Sequence, residues 1–445
     1  MDKQKKPRLD SFVENVKVFS GIHNFFYNHS QVFWFWNADQ CCFEIVDYID
    51  LMIKIDRQFK FNGKIIGGRM KMNYVEAFKF IGRMNVPMEP PLTWIQFKDT
   101  VYDFATGEKF PATSDYFHTN PIQHRIGDST DTPTMDRLFT EWVGEKYVQD
   151  LYEILAYCCY RDYPIQVLFC FVGSGRNGKS QFMKILDHFL GHNNVTATEL
   201  DTLLGSRFES FKLYRKLACS IGETNFGILS QSSLIKKLIG GDKISFEMKN
   251  KKPFEGLNYA KILINSNSLP ISTDTSDGFY RRWYIIDFPN EFPESGKEVW
   301  LDVPVVEYQN LARKVINILP KLLSKGTFNN QGTIEQRRQK YIEQSNPFCF
   351  FLNSECEIHY DAYVKYNDLY NEYLKYLFRK KKRRVSRKEF KLALEDEGLF
   401  IEKSNLKNHL GFYEHVYWIR GVRLKCQIPI ETPVQMPDVQ TEFIN

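Results

Sequence analysis

The run Gly173-Ser174-Gly175-Arg176-Asn177-Gly178-Lys179-Ser180 satisfies G-x-x-x-x-G-K-[ST], a spacing suited to holding phosphate. Glycines let the backbone curl until its N–H groups converge, and a helix that starts at the lysine adds positive potential at its N-terminus. In that setting Lys179 is expected to hold the β- and γ-phosphates of ATP, and the Ser180 hydroxyl to ligate Mg²⁺. Hydrolysis also needs an acid at the end of a neighbouring strand, to orient the attacking water and complete the magnesium shell. Lys216-Leu-Ala-Cys-Ser-Ile-Gly-Glu223 offers Glu223 where an apolar run stops. Residue 222 is glycine and residue 224 threonine, so one carboxylate has both tasks. Taken alone, a glutamate after an apolar run is more often an ordinary surface residue.

These residues work only if strands and helices place them. PIQVLFCFVG is an apolar run ending at Gly173, and QFMKILDHFLG after the loop is amphipathic, so the pattern predicts strand, loop and helix. KLACSIGE, AKILINSN and RRWYIIDF are further short apolar runs of buried-strand type, and their alternation with helical stretches over residues 164–290 predicts an α/β core with a parallel sheet. Upstream, Trp94-IQFKDTVYDFATGEKF alternates around an Ala-Thr-Gly turn and predicts a hairpin. Leu138, Phe139, Trp142, Val143, Tyr147, Leu151, Ile154 and Leu155 follow at helical spacing. After Pro293 the chain reads as helical, through VEYQNLARKVINILPKLL and TIEQRRQKYIEQ. From about Asn346, two helical patterns, the basic run Arg379–Arg384 and an aromatic-rich HVYWIRGVRLK fit a winged helix-turn-helix. The proline-rich last residues read as a loose tail.

The chain has 445 residues and a mass of 52.6 kDa, which at ~150 residues per domain predicts several domains. Hydrophobic residues at 43% and charged residues at 25% exclude wholesale disorder and collagen-like or disulfide-scaffold classes. Aromatics at 15% are enriched, and rings serve packing, subunit contacts or base stacking. The net charge of +5 neither requires nor excludes nucleic acid. Nine cysteines, with adjacent pairs at Cys41/Cys42 and Cys158/Cys159 but no C-x-x-C, read as reduced thiols. The polar start MDKQKKPRLD and the lack of any apolar run near ~18 residues predict an intracellular, soluble chain without a membrane partner.

Beyond the phosphate loop, three consecutive segments carry a resemblance: Leu234-IKKLIGGDKISFEMKNKKPFEG, Ala260-KILINSNSLP and Asp277-GFYRRWYIIDFPNEF. With them, the sequence resembles the superfamily 3 helicases of the phage/plasmid primase and poxvirus primase-helicase type. The hairpin region with HTNPIQHRIGD resembles the domain that precedes their core, and Phe348 to about Lys425 is similar to their C-terminal winged helix; residues 1–90 match least. The resemblance implies a P-loop AAA+ core with a parallel sheet, an N-terminal α+β or helical domain and a C-terminal winged helix. It implies that Asn267, with Asn265 as the nearby alternative, senses the γ-phosphate or its water. It implies further that Arg282 or Arg281 is an arginine finger lent by the neighbouring subunit, Arg282 being preferred because it directly precedes WYIIDFP.

Lys243-ISFEMKNKKPF resembles the family's channel hairpin, where Lys249, Lys251 and Lys252 contact the DNA backbone and the flanking Phe246 and Phe254 offer stacking. Arg383, Arg384, Arg387 and Lys388 are the expected duplex contacts at the start of a recognition helix.

The expected organisation is an aromatic-rich region at 1–90, a collar-like domain at 91–160, the ATPase core at 161–295, a helical extension at 296–345, the winged helix at 346–427 and the tail at 428–445. The resulting reading is an ATP hydrolase and replicative DNA helicase of a virus, phage or plasmid. It forms a homo-hexameric ring on single-stranded and forked DNA, uses ATP and Mg²⁺, and leaves primer synthesis to a separate primase. The family implies 3′ to 5′ movement. There are two rivals: a DNA-stimulated ATPase that uses the same loop, Glu223 and Arg282 to melt an origin or load other proteins, and a non-catalytic origin-binding protein with the winged helix and a degenerate ATP site, which the missing acid beside Glu223 keeps open.

Overall fold

The computed structural model describes residues 9–61, 63, 68–222, 228–229, 232–293, 298–380, 382–407 and 413–425. Its centre is a parallel five-stranded sheet in the order Trp283–Asp287, Leu168–Val172, Lys261–Ser266, Ala218–Ile221, Val195–Thr198. Mixed α/β architecture and a parallel sheet are thus as the alternation predicts. Leu168–Val172 and Lys261–Ser266 are buried at every position, because helices cover both faces of an inner parallel strand and leave no side for polar residues.

Chain-local patterns explain the flanking elements. Trp94–Gln96, Val101–Asp103 and Lys109–Phe110 form an antiparallel meander whose last turn uses Gly107 at φ 80°. Helices Pro133–Val143 and Glu145–Cys158 follow, and Val305–Lys325 packs on them. The Glu307 carboxylate accepts from Thr134 N and Met135 N, both at 3.0 Å, so a remote acid satisfies the open amides of the helix start.

The enriched aromatics have a structural use. In Phe25–Tyr27 and Phe33–Asn37, successive side chains point to opposite faces. Phe25 and Phe33 pack with Phe12, Phe19 and Phe78 of the N-terminal helices, while Phe26 and Trp34 pack with Phe43 and Phe117 on the other face. Trp34 also meets Tyr214 of the central unit, with ring centroids 6.3 Å apart. These rings are buried on both faces of the small sheet, in packing within the chain.

The last unit orders helix Pro347–Glu355, strand Cys356–Lys365, helices Tyr366–Arg379 and Arg387–Asp396, then strands Ile401–Lys407 and Tyr413–Leu424. Its antiparallel sheet places the third strand between the other two. The expected tail at 428–445 lies outside the described residues. The cysteines among the described residues are free, and no described helix is long and apolar enough to cross a membrane.

Lys261, at the start of a central strand, is fully buried. Its ammonium donates to the carbonyls of Tyr160 (2.6 Å), Asp162 (2.8 Å) and Tyr259 (2.8 Å), with the Tyr157 ring centroid 4.6 Å away. Burial pushes its pKa down to about 7, against the raising effect of Cys158 and Asp162. A folded pKa below the ordinary lysine value means that the unfolded chain binds more protons between the two. Lys261 therefore makes stability rise with pH from about 7 towards the ordinary lysine range. Lys261→Met is expected to flatten that rise. It also leaves three half-buried carbonyls without their donor, so its melting temperature should fall at every pH. Thermal melts of both proteins from pH 6 to pH 10 check this, and an unchanged pH slope would refute it.

Candidate nucleotide and nucleic-acid sites

The glycine loop joins Leu168–Val172 to helix Lys179–Leu190 at the C-terminal end of the sheet. Gly175 (φ 111°), Arg176 (φ 44°) and Gly178 (φ 95°) give the loop its left-handed curl. A Cβ at Gly173 would lie 2.5 Å from the Phe288 carbonyl, and one at Gly178 would run into the indole of Trp142. Only glycine fits at either position. The segment after the edge strand braces the loop: Asn177 Nδ2 donates to Phe288 O (3.2 Å), Phe292 N to Arg176 O (2.9 Å), and Ser174 Oγ to Glu291 Oε1 (2.6 Å).

Lys179 is 4% exposed, and its ammonium lies 2.6 Å from Gly173 O and 3.4 Å from Asn267 Oδ1. Ser180 is exposed at the helix start. Of the two asparagines, Asn267 is the one brought to the lysine, at the exposed end of its strand. Asn265 is buried, and its Oδ1 has no partner among the described residues. The strand Ala218–Ile221 ends on the same side of the sheet, but Glu223 lies outside the described residues. Converging amides without room for side chains, beside a buried ammonium and an exposed hydroxyl, suit a nucleotide polyphosphate with its magnesium.

The arginines stand elsewhere. Arg281 and Arg282 precede the edge strand, at the end of the parallel sheet opposite the loop. Arg282 is 8% exposed and donates to Gly278 O. Burial, then the charge of Arg281, lowers its pKa. Arg281 is exposed, with Nη2 3.2 Å from Gln166 Oε1. Arg282, the preferred guanidinium, is thus the buried one of the pair, and Arg281 is the one that faces outward.

The segment 243–257 forms the expected hairpin, Lys243–Phe246 against Phe254–Leu257. Lys249 and Lys252 are exposed near its tip. Lys251 instead donates to Gln31 O (3.0 Å) and docks the N-terminal unit, and burial lowers its pKa. Phe246, fully buried, and Phe254 pack with Tyr214, at centroid distances of 5.2 and 5.0 Å. Phe246 is thus used in the core, and the half-buried Phe254 packs against it.

The basic run near the C-terminus is largely engaged within the chain. Arg379 pairs with Glu355 (3.1 Å), Lys380 with Glu343 (2.9 Å) and Arg383 with Glu389. Lys382 donates to Glu343 O (2.7 Å) and Gln344 Oε1 (2.8 Å), and burial pushes it down to about 8. Lys381 lies outside the described residues. Arg387 donates to Asn367 Oδ1 (2.8 Å) and stacks over Tyr370 at 4.9 Å. Arg384 and Lys388 are exposed, with no ion pair among the described residues. Sequence reading missed Trp142, Gln166, Glu291 and Arg337 as neighbours of these sites, and no local pattern marks them.

The profile of a family of unknown function (DUF5906) matches residues 171–282. No curated protein matches the sequence. Among solved structures, the apo structure of the NrS-1 C-terminal region is similar at 14% identity and a TM-score of 0.49, covering 89% of this chain and 88% of that one. An A-form apo structure of the same region gives 14% identity and a TM-score of 0.45, over 92% of this chain and 98% of that one.

Proposed function

We propose that this chain hydrolyses ATP between copies of itself and uses the cycle to move along single-stranded DNA, as a replicative helicase of the superfamily 3 type that its motifs resemble. One observation carries the reading. The edge strand runs parallel to the loop strand, Trp283 beside Leu168 and Asp287 beside Val172. The arginines before it are therefore separated from the glycine loop after Val172 by the length of the strand, about 16 Å at ~3.3 Å per residue. No guanidinium there reaches a γ-phosphate held by its own loop. It faces away, where a second copy's nucleotide can meet it, and a ring of six such contacts closes on itself.

In this reading Lys179 and the amides of residues 173–180 hold the triphosphate, Asn267 orients the water or γ-phosphate, and Glu223 takes its proton. Ser180 with Glu223 would hold magnesium, which would neutralise phosphate charge there. Lys249 and Lys252 contact the phosphates of one strand, and Arg384, Arg387 and Lys388 on a winged helix contact duplex ahead of it.

Steady-state ATP hydrolysis with and without single-stranded DNA, combined with strand displacement from a forked duplex, tests the proposal. DNA-stimulated hydrolysis with fork opening is expected. Hydrolysis that leaves the fork intact would replace the helicase by a loader or origin melter. DNA binding without any hydrolysis would leave the origin-holding protein.

A further inference from the structure

Two adjacent arginines of another helix hold the turn that carries Arg281. The turn begins with helix Asp277–Tyr280, capped by Ser276, and ends where the edge strand starts. Helix Ile334–Ser345 starts on a capping box between Thr333 and Gln336, which fixes its first turn. From that turn, Arg338 pairs with Asp277 (2.6 Å), and its guanidinium lies 5.1 Å from the Tyr280 ring centroid. Arg337 donates through Nη1 to the carbonyl of Arg281. One turn on, Tyr341 packs on Phe279 (5.1 Å) and Trp283 (4.8 Å) and donates to Pro270 O (2.7 Å). The helix thus grips the turn at Asp277, Phe279 and Arg281, while Gln166 meets the Arg281 side chain from the other side.

The Arg337 contact is costly in itself. Its Nε is buried without a partner among the described residues, and burial, then the charge of Arg281, lowers its pKa. A second guanidinium beside Arg281 opposes folding unless it serves geometry or meets an anion.

We infer that Arg337 is a positioning residue for Arg281: by binding the Arg281 carbonyl it orients that guanidinium towards the nucleotide held by the neighbouring copy. The inference rests on the ring reading above. Misplacing a catalytic group by about 1 Å costs about 10²-fold in rate. Arg337→Ala is therefore expected to lower kcat by about 10²-fold and leave KM unchanged, because the loop that binds ATP is untouched.

The deciding experiment mixes variants. Arg337→Ala and Lys179→Ala are each assayed alone and together, beside the parallel mixture of Arg281→Ala with Lys179→Ala. Arg337→Ala subunits keep an intact loop and Lys179→Ala subunits an intact Arg281, so mixed rings contain complete sites and activity returns. If Arg281→Ala is rescued and Arg337→Ala is not, Arg337 acts on its own subunit's nucleotide site and the inference fails. If neither is rescued, the shared-site reading fails and takes the inference with it. Arg337→Ala at wild-type rate also overturns it. Should Arg337→Ala fail to fold, Arg337→Lys, which keeps a cation and a donor, is expected to show a smaller loss with the same rescue, and loss without rescue overturns the inference.

Discussion

Lys179→Ala is expected to reduce ATP hydrolysis by about 10²–10³-fold, the usual effect of removing one preorganised charge from a transition state. The reason is geometric. The ammonium is drawn into the loop, 2.6 Å from Gly173 O and 3.4 Å from Asn267 Oδ1, and is almost wholly shielded from water. Shielding strengthens its attraction for phosphate, and the side chains that brace the loop, such as Glu291 on Ser174, offer no replacement cation. The substitution leaves the helix start intact, since Gly178 at φ 95° and its contact with Trp142 set the entry angle. Melting temperature and DNA binding should therefore stay near wild type. Hydrolysis within two-fold of wild type would remove the phosphate site from the proposal, and Glu223→Gln, assayed beside it, reports separately on the water-orienting acid.

The second large effect separates two neighbouring arginines. Arg281→Ala is expected to lose about 10³-fold in kcat or more, as when an arginine finger is removed, with a wild-type melting temperature because its side chain is exposed. Arg282→Ala should behave in the opposite way. Its buried guanidinium donates to Gly278 O and lies under the turn, so its loss destabilises the fold and lowers the melting temperature. Mixed with Lys179→Ala, Arg281→Ala should regain up to about a quarter of wild-type activity, since randomly mixed neighbours complete about one site in four. Calorimetry and hydrolysis on the four proteins check both halves. Equal loss of hydrolysis and of stability in the two arginine variants would refute the division of roles.

Local chemistry was legible in the residue order. The loop from Gly173 to Ser180, the strand before it and the helix after it follow from short-range rules: glycines where φ is positive, an apolar run where a strand is buried, helical periodicity where one face is covered. The parallel sheet was legible for the same reason, through alternation, whereas the hairpin at 243–257 was expected from the resemblance alone. The N-terminal aromatics were visible as an excess, but their use was not, because period-2 alternation does not say what each face meets.

What tertiary structure decided was which residues meet, and through that which are free to act. Arg281 rather than Arg282 faces outward because Arg282 turns in to Gly278 O, while Gln166 and Arg337, both remote in sequence, hold Arg281. Lys251 is taken by Gln31, Phe246 and Phe254 by Tyr214, and Lys382 by Glu343 and Gln344. A cation or a ring has the same local signature whether it ends in solvent or against a neighbour. The difference is a burial energy set by segments tens to hundreds of residues away, so only the order of the strands and the packing of the helices assign it.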